Sequence, residues 1–194
     1  MTGKTPWKKR AQKLRVPVGT ALGVVFLIFM HPSVRSLWVG GVLTVAGALT
    51  RLWAAGHIEK SVRLARSGPY AYTRNPLYLG SFFMALGVIL AGQGYWLLPF
   101  FAIFFLGFYL PVMRAEEQDL QNLYGDDFLE YSRRVPLFFP SHKAAGYPYV
   151  NFLWSRVRKN REHRNLITLI PVEIILILRL FFHEFLARIF HGVL

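Results

Sequence analysis

The sequence predicts an all-α, polytopic transmembrane protein of four to five spans, with its functional loops and short helices gathered on one side of the membrane. Three observations predict it. Hydrophobic residues make up 54% of the 194 residues and aromatics 16%, with a mean hydropathy of +0.33, more apolar than a soluble domain of this size requires. The apolar residues fall in long runs close to the roughly 20 residues that cross a bilayer. The 23 Lys and Arg fall mainly between those runs.

The first run, Val16 to Met30, follows the basic stretch MTGKTPWKKRAQKLR and stops at the breaker His31-Pro32-Ser33. A basic stretch before an apolar run suits a signal peptide or an anchor. Phe29, Met30, His31 and Pro32 offer no small-x-small cleavage pattern, so the run reads as a retained span. Val34 to Gly56 is the second span, Leu77 to Gly92 the third, and Tyr95 to Met113 the fourth, the last two joined by the turn-like Gly92-Gln93-Gly94. A fifth run, Leu166 to Phe182, carries Glu173 and Arg179. Its tail is amphipathic, with Glu173, Glu184, Arg188 and His191 near one helical face, so it either spans or lies in the interface. These boundaries predict a basic N-terminal stretch over 1–15 and one membrane domain over 16–194, with a motif core over 51–140 and a C-terminal helix over 166–191.

The basic residues orient the spans. Six precede the first, one, Arg35, sits at the start of the second, five run from Arg51 to Arg74, none sits in the turn between the third and fourth, and nine run from Arg114 to Arg164. Short cytoplasmic loops collect Lys and Arg, so the N-terminus and the loops after spans two and four are expected on the cytoplasmic side. The same pattern accounts for the net charge of +13 through orientation and anionic headgroups rather than nucleic acid. The absence of cysteine excludes disulfides, thiolate metal sites and cysteine nucleophiles.

After the fourth span, RAEEQDLQNLYGDDFLEYSRRVPLFFP reads as two short helices. The first carries Glu116, Glu117, Leu120 and Leu123 and stops at Gly125. The second is expected to open with a capping box, Asp127 to Glu130, and to end before Pro136, carrying Tyr131, Arg133 and Arg134.

The stretch GPYAYTRNPLYLG, residues 68–80, is richer than a connector needs. Gly68 and Pro69 make a turn, Pro76 holds Asn75 extended, and a helix can start at Pro76. Such a start favours an anion. Arg74 adds a cationic fork, and Tyr70, Tyr72 and Tyr78 add aromatic faces. An interfacial belt of Tyr and Arg would have the same composition. With the carboxylates Glu116 and Glu117 on the same side, the stretch suits a ligand that combines a carboxylate, a purine and a positive centre, of which S-adenosyl-L-methionine is one.

SGPYAYTRNPLYLG followed by EEQDLQNLYGDDFLEYSRRVP resembles the isoprenylcysteine carboxyl methyltransferase family and the related phospholipid methyltransferases. The resemblance spans Arg51 to Pro140. It implies an integral membrane enzyme that takes S-adenosyl-L-methionine from the cytosol and a lipid-like or amphipathic acceptor from the bilayer. Carried over by position, it implies cofactor contacts from Arg63, Leu64, Ala65, Tyr70, Asn75, Pro76, Leu77, Tyr78 and Glu116. Arg74 and Glu117 are the catalytic candidates, and Arg114, Arg133 and Arg134 are candidates for an acceptor carboxylate or phosphate. Two positions depart from the family pattern: Asn75 replaces a histidine, losing titration near neutral pH, and Val112 stands where the carboxyl methyltransferases place a substrate-binding arginine. An NADPH-dependent reductase resembling the sterol reductases, and a non-enzymatic membrane module, are the alternatives.

Overall fold

The computed structural model describes residues 6–59 and 62–191, and among these the chain is helical with no strand. Helix α1 (Pro6–Phe29) continues through Pro17 and gives way to the turn at His31-Pro32. Ser33 then opens α2 (Val34–His57): its hydroxyl accepts from the Ser36 backbone N–H at 3.2 Å, and the Ser36 hydroxyl accepts from Ser33 N–H at 2.9 Å. The Ser36 hydroxyl also donates to the Ala91 carbonyl at 2.7 Å, fixing the start of α2 against the end of α3 (Pro76–Ala91).

Small residues set the approach of α2 and α3. A Cβ at Gly47 would lie 2.6 Å from the Gly80 carbonyl oxygen, one at Gly80 would lie 2.6 Å from the Gly47 carbonyl, and one at Gly40 would meet the Gly87 carbonyl. Two backbones this close gain dispersion contacts without needing a hydrophobic driving force, which is what packing inside lipid demands. The outer face of α2 is a stripe of exposed apolar residues, Trp38, Val42, Val45, Leu49 and Trp53, spaced by three or four residues as one helix face requires.

Beyond the turn at Gln93, the fourth helical stretch differs from expectation. In place of a span that ends at Met113 and a separate short helix, one stretch runs from Tyr95 to Tyr124. It comprises a 3₁₀ turn (Tyr95–Leu97), α4 (Leu98–Phe104), a π-helical turn (Phe105–Tyr109) and α5 (Leu110–Tyr124). Pro111 accounts for the π turn, because it has no N–H for the Gly107 carbonyl and its ring crowds that turn. Gly125 ends α5 as expected, with φ 54° and its N–H on the Gln121 carbonyl at 2.9 Å. The capping box expected at Asp127 does not form. Helix α6 (Asp126–Arg134) starts with no side-chain cap, since Asp127 pairs with Arg66 at 3.3 Å and Glu130 with Arg134 at 2.9 Å.

An extended segment leads to α7 (Trp154–Lys159), α8 (Glu162–Ile167) and α9 (Leu169–His191). Leu176 of α9 is fully buried in a core with Phe26, Met30, Ile89, Ala91 and Leu97, so α9 packs into the bundle. Val34–His57, Tyr95–Tyr124 and Glu162–Phe182 are each long and apolar enough to cross a membrane, while Val16–Phe29 and Pro76–Ala91 are shorter apolar helices. The polar face expected to include Glu184, Arg188 and His191 lies outside the residues whose side chains are described.

Candidate functional site

At the end of the bundle away from the Gly92-Gln93-Gly94 turn, the two motifs of the sequence are laced together. Arg74 N–H donates to the Pro136 carbonyl at 2.9 Å, Ser141 N–H to Tyr72 at 2.9 Å and Ala145 N–H to Ala71 at 3.0 Å. Side chains add to this: Thr73 Oγ1 donates to the Phe138 carbonyl at 2.8 Å, Asn75 Nδ2 to Leu137 at 3.0 Å, and the Tyr131 hydroxyl to the Tyr70 carbonyl at 2.8 Å. The segment after α6 therefore holds the turn at 68–75 in shape. Asn75 is committed to that structural bond in the position where the family pattern has histidine.

Above this lacing lies a cavity of about 1160 Å³, larger than the roughly 300–1,000 Å³ that one small ligand usually occupies. Arg63, Leu64 and Ala65 line it, as do Tyr70 and Asn75 to Tyr78. Glu116, Glu117 and Arg74 complete the predicted set, so all nine expected cofactor contacts and both catalytic candidates share one cavity. Glu116 accepts a hydrogen bond from the Tyr78 hydroxyl at 2.7 Å. Arg74 Nε lies 2.9 Å from Glu117 Oε1, and Arg74 Nη1 donates to the Ser132 carbonyl at 3.2 Å. The fork expected to face a ligand is thus anchored to a carboxylate and to the backbone.

Tyr70 is 6% exposed, and its buried hydroxyl has no hydrogen-bond partner among the described residues. Burial pushes the phenols of Tyr70 and Tyr131 above their ordinary value, so both stay neutral donors at physiological pH. Tyr72 is outside the lining and packs near Trp53, ring centroids 6.4 Å apart.

The three arginines expected to receive an acceptor are also outside the lining. Arg114 and Arg133 are exposed. Arg134 pairs with Glu130 and lies 5.8 Å from the centroid of the Tyr147 ring. The lining also includes residues that sequence reasoning did not name: Arg51 and Ser81, the π-turn residue Tyr109, Asp119 of α5, and Asn160, Glu162 and Thr168 from the C-terminal segment. Arg51 gave one signal, as a charge inside an otherwise apolar run. The lining also has apolar members, Val16 and Gly19 of α1, Phe104 and Met84.

The phospholipid methyltransferase family profile matches residues 35–127. The nickel-cobalt-cadmium resistance protein NccN of Alcaligenes xylosoxydans xylosoxydans is 33% identical over 135 residues, 65% of this chain and 62% of that protein. The cobalt-zinc-cadmium resistance protein CzcN of Cupriavidus metallidurans is 33% identical over 123 residues, 59% of this chain and 56% of that protein. A protein-S-isoprenylcysteine O-methyltransferase of Schizosaccharomyces pombe is 26% identical over 145 residues, 72% of this chain and 61% of that protein. The chain therefore spans less than two thirds of each of these relatives. No solved structure matches it.

Proposed function

We propose that this integral membrane protein, whose residues 35–127 match the phospholipid methyltransferase profile, transfers a methyl group from S-adenosyl-L-methionine to an O or N atom of a lipid-like or isoprenylcysteine-like acceptor at the cytoplasmic face. The observation that carries the reading is the convergence of every expected cofactor contact on one cavity, built from two motifs joined by hydrogen bonds.

The residues present suit that cofactor. Glu116, already oriented by Tyr78, offers carboxylate oxygens to an ammonium or to ribose hydroxyls. Tyr70 brings a ring face and a hydroxyl without a partner among the described residues. Helix α3 opens at Pro76, which has no N–H, and Asn75 N–H is taken by Thr73 Oγ1, so the first-turn N–H groups that follow Pro76 are the ones that favour a carboxylate. Bound here, the cofactor would supply an electrophilic methyl group on a sulfonium. The protein's task is then alignment and exclusion of water, and good alignment contributes roughly 7–11 kcal/mol. Glu117, held by Arg74, is placed to orient an acceptor or to take its proton if it is an amine. The apolar members of the lining, Val16, Gly19, Phe104 and Met84, suit a lipid-like tail.

The cytoplasmic assignment rests on charge. The basic loops Arg51 to Arg74 and Arg114 to Arg164 supply the cavity end of the bundle, and the opposite turn at Gly92-Gln93-Gly94 has no basic residue. Two relatives are named for metal resistance. Among the described residues no three His, Asp or Glu side chains gather as a metal site, so the reading rests on the cavity and not on those names.

Calorimetric titration of detergent-purified protein with S-adenosyl-L-methionine, its demethylated product and NADPH tests the proposal. Binding of the first two, lost in Glu116→Gln with the protein still monodisperse, is the expected result. Binding of NADPH alone would move the chain to the reductases, and no binding would favour a non-enzymatic module.

A further inference from the structure

Each arginine that lines the cavity is already matched by a carboxylate. Arg74 pairs with Glu117 at 2.9 Å and Arg63 with Glu59 at 3.1 Å. The third pair is the most enclosed: Arg51 of α2 and Glu162 of α8, with side chains 13% and 5% exposed. Arg51 Nε donates to Glu162 Oε2 at 3.0 Å, and Nη2 donates to both carboxylate oxygens at 2.8 Å. Its Nη1 donates to the Leu77 carbonyl at 3.0 Å and to the Ser81 hydroxyl. A guanidinium has five N–H donors, and all of these are engaged.

This arrangement bears on what the cavity can accept. Three arginines line it, Arg51, Arg63 and Arg74, against four carboxylates, Glu116, Glu117, Asp119 and Glu162. An anionic head that enters must give up water, and burying an anion without donors is costly. Here the five donors of Arg51 are already occupied. A neutral or cationic head meets carboxylate oxygens instead. Glu162 comes from the segment after residue 127, beyond the family match. Without it, Arg51 would present an unbalanced guanidinium to the same space.

We infer that Glu162 sets the charge preference of the acceptor site: by neutralising Arg51 it disfavours carboxylate and phosphate heads, an isoprenylcysteine-like carboxylate included, and so narrows the acceptor to an amine or hydroxyl on an apolar tail. This rests on the methyl-transfer reading of the same cavity. Glu162 is a positioning residue, acting through Arg51.

The test uses two probes with one tail and opposite heads, hexadecylamine and palmitate. Each is titrated into full-length protein in nanodiscs of neutral lipid, with the demethylated cofactor product present so that no turnover occurs. The wild type is expected to bind hexadecylamine at least tenfold more tightly than palmitate. Glu162→Gln should shrink that ratio tenfold or reverse it, and Arg51→Gln combined with Glu162→Gln should restore the wild-type order, an outcome that a merely structural role would not produce. Equal binding of the two probes by the wild type, or an unchanged ratio in Glu162→Gln, would overturn the inference. If the single variant does not fold, the double variant decides, because a reversed order there contradicts the proposed role of charge. The titration with the demethylated product separates the two readings. No binding of that product to the wild type removes the methyltransferase reading, whereas normal binding in every variant with an unaltered probe order removes this inference alone.

Discussion

Glu116 meets the cavity with one oxygen already held by the Tyr78 hydroxyl at 2.7 Å, so its direction is set before any ligand arrives. Tyr78→Phe should weaken S-adenosyl-L-methionine binding by roughly three- to tenfold, the worth of about 1 kcal/mol of lost hydrogen-bond orientation, while circular dichroism stays unchanged; calorimetry measures it. Tyr131 acts one layer below. Its hydroxyl satisfies the buried Tyr70 carbonyl, and Tyr131→Phe should cost about 1–2 kcal/mol of stability. These phenols also predict an alkaline limit. Burial raises both above the ordinary value, so the native state keeps two protons that unfolded phenols release near pH 10. Their stabilising contribution is complete below about pH 10 and is lost as pH climbs through the raised native values. Between about pH 9 and 11, the melting temperature of the wild type should fall more steeply than that of the Tyr70→Phe, Tyr131→Phe double variant. Sequence reading named Tyr70, Asn75, Tyr78 and Glu116, which line one cavity, because each lies in a short motif that a family resemblance can carry over by position. Arg51 and Glu162 were out of its reach, because the pair joins positions 111 residues apart and only tertiary packing brings them together.

Elements show the same division between local and long-range causes. The five apolar runs and the glycine stop at 125 were legible, because run length and a positive-φ glycine are properties of adjacent residues. The continuous stretch from Tyr95 to Tyr124 was not, since polar residues from Arg114 onward look like an exit from the membrane while the backbone simply continues as α5. Asp127 and Glu130 had the spacing of a capping box, but Arg66 and Arg134 took both carboxylates. The α2–α3 contact makes the firmest prediction at this scale, because glycine there is a matter of space. Gly47→Ala sets a Cβ 2.6 Å from the Gly80 carbonyl and 2.7 Å from Met84 N, whereas a Cβ at Gly41 meets nothing within 4 Å. Overpacking of this kind costs about 1–3 kcal/mol. Thermal melts in detergent should show Gly47→Ala well below the wild type and Gly41→Ala at or slightly above it, because in the second case alanine only improves helix propensity. Equal melts would mean that α2 and α3 can slide apart, and would loosen the bond from Arg51 to Leu77 along with them.

For the whole molecule, geometry and charge give one testable orientation. The cavity, the laced motifs and the basic loops share one end of the bundle, while Gln93, Ser33 and His31 share the other: Gln93 Nε2 donates to Ser33 Oγ at 2.8 Å, and His31 N–H to the Gly92 carbonyl at 2.9 Å. If positive residues stay inside, the cavity opens to the cytosol, where a soluble cofactor is available. The natural absence of cysteine allows a single thiol to report this without background. His142→Cys lies in the exposed segment that laces the motif turn, and Gln93→Cys lies at the opposite turn. In intact cells a membrane-impermeant maleimide should label Gln93→Cys and leave His142→Cys unlabelled until the membrane is opened. The reverse pattern would place the cavity on the outer face, away from the cytosolic cofactor, and the methyl-transfer reading would fail with it. The same assay extends to α9. Leu176 is buried in the core beside Met30 and Ala91, and Arg179 lines a small pocket with His31, Ser33 and Gln93. Helix α9 therefore runs from the cavity end, where Thr168 lines the wall, to the end at Gln93. A cysteine replacing Phe182, just past Arg179, should label from the same side as Gln93→Cys, because a helix that crosses the bundle must deliver its far end to the opposite face. Labelling from the cavity side instead would lay α9 in the interface and leave the Leu176 core without its partner.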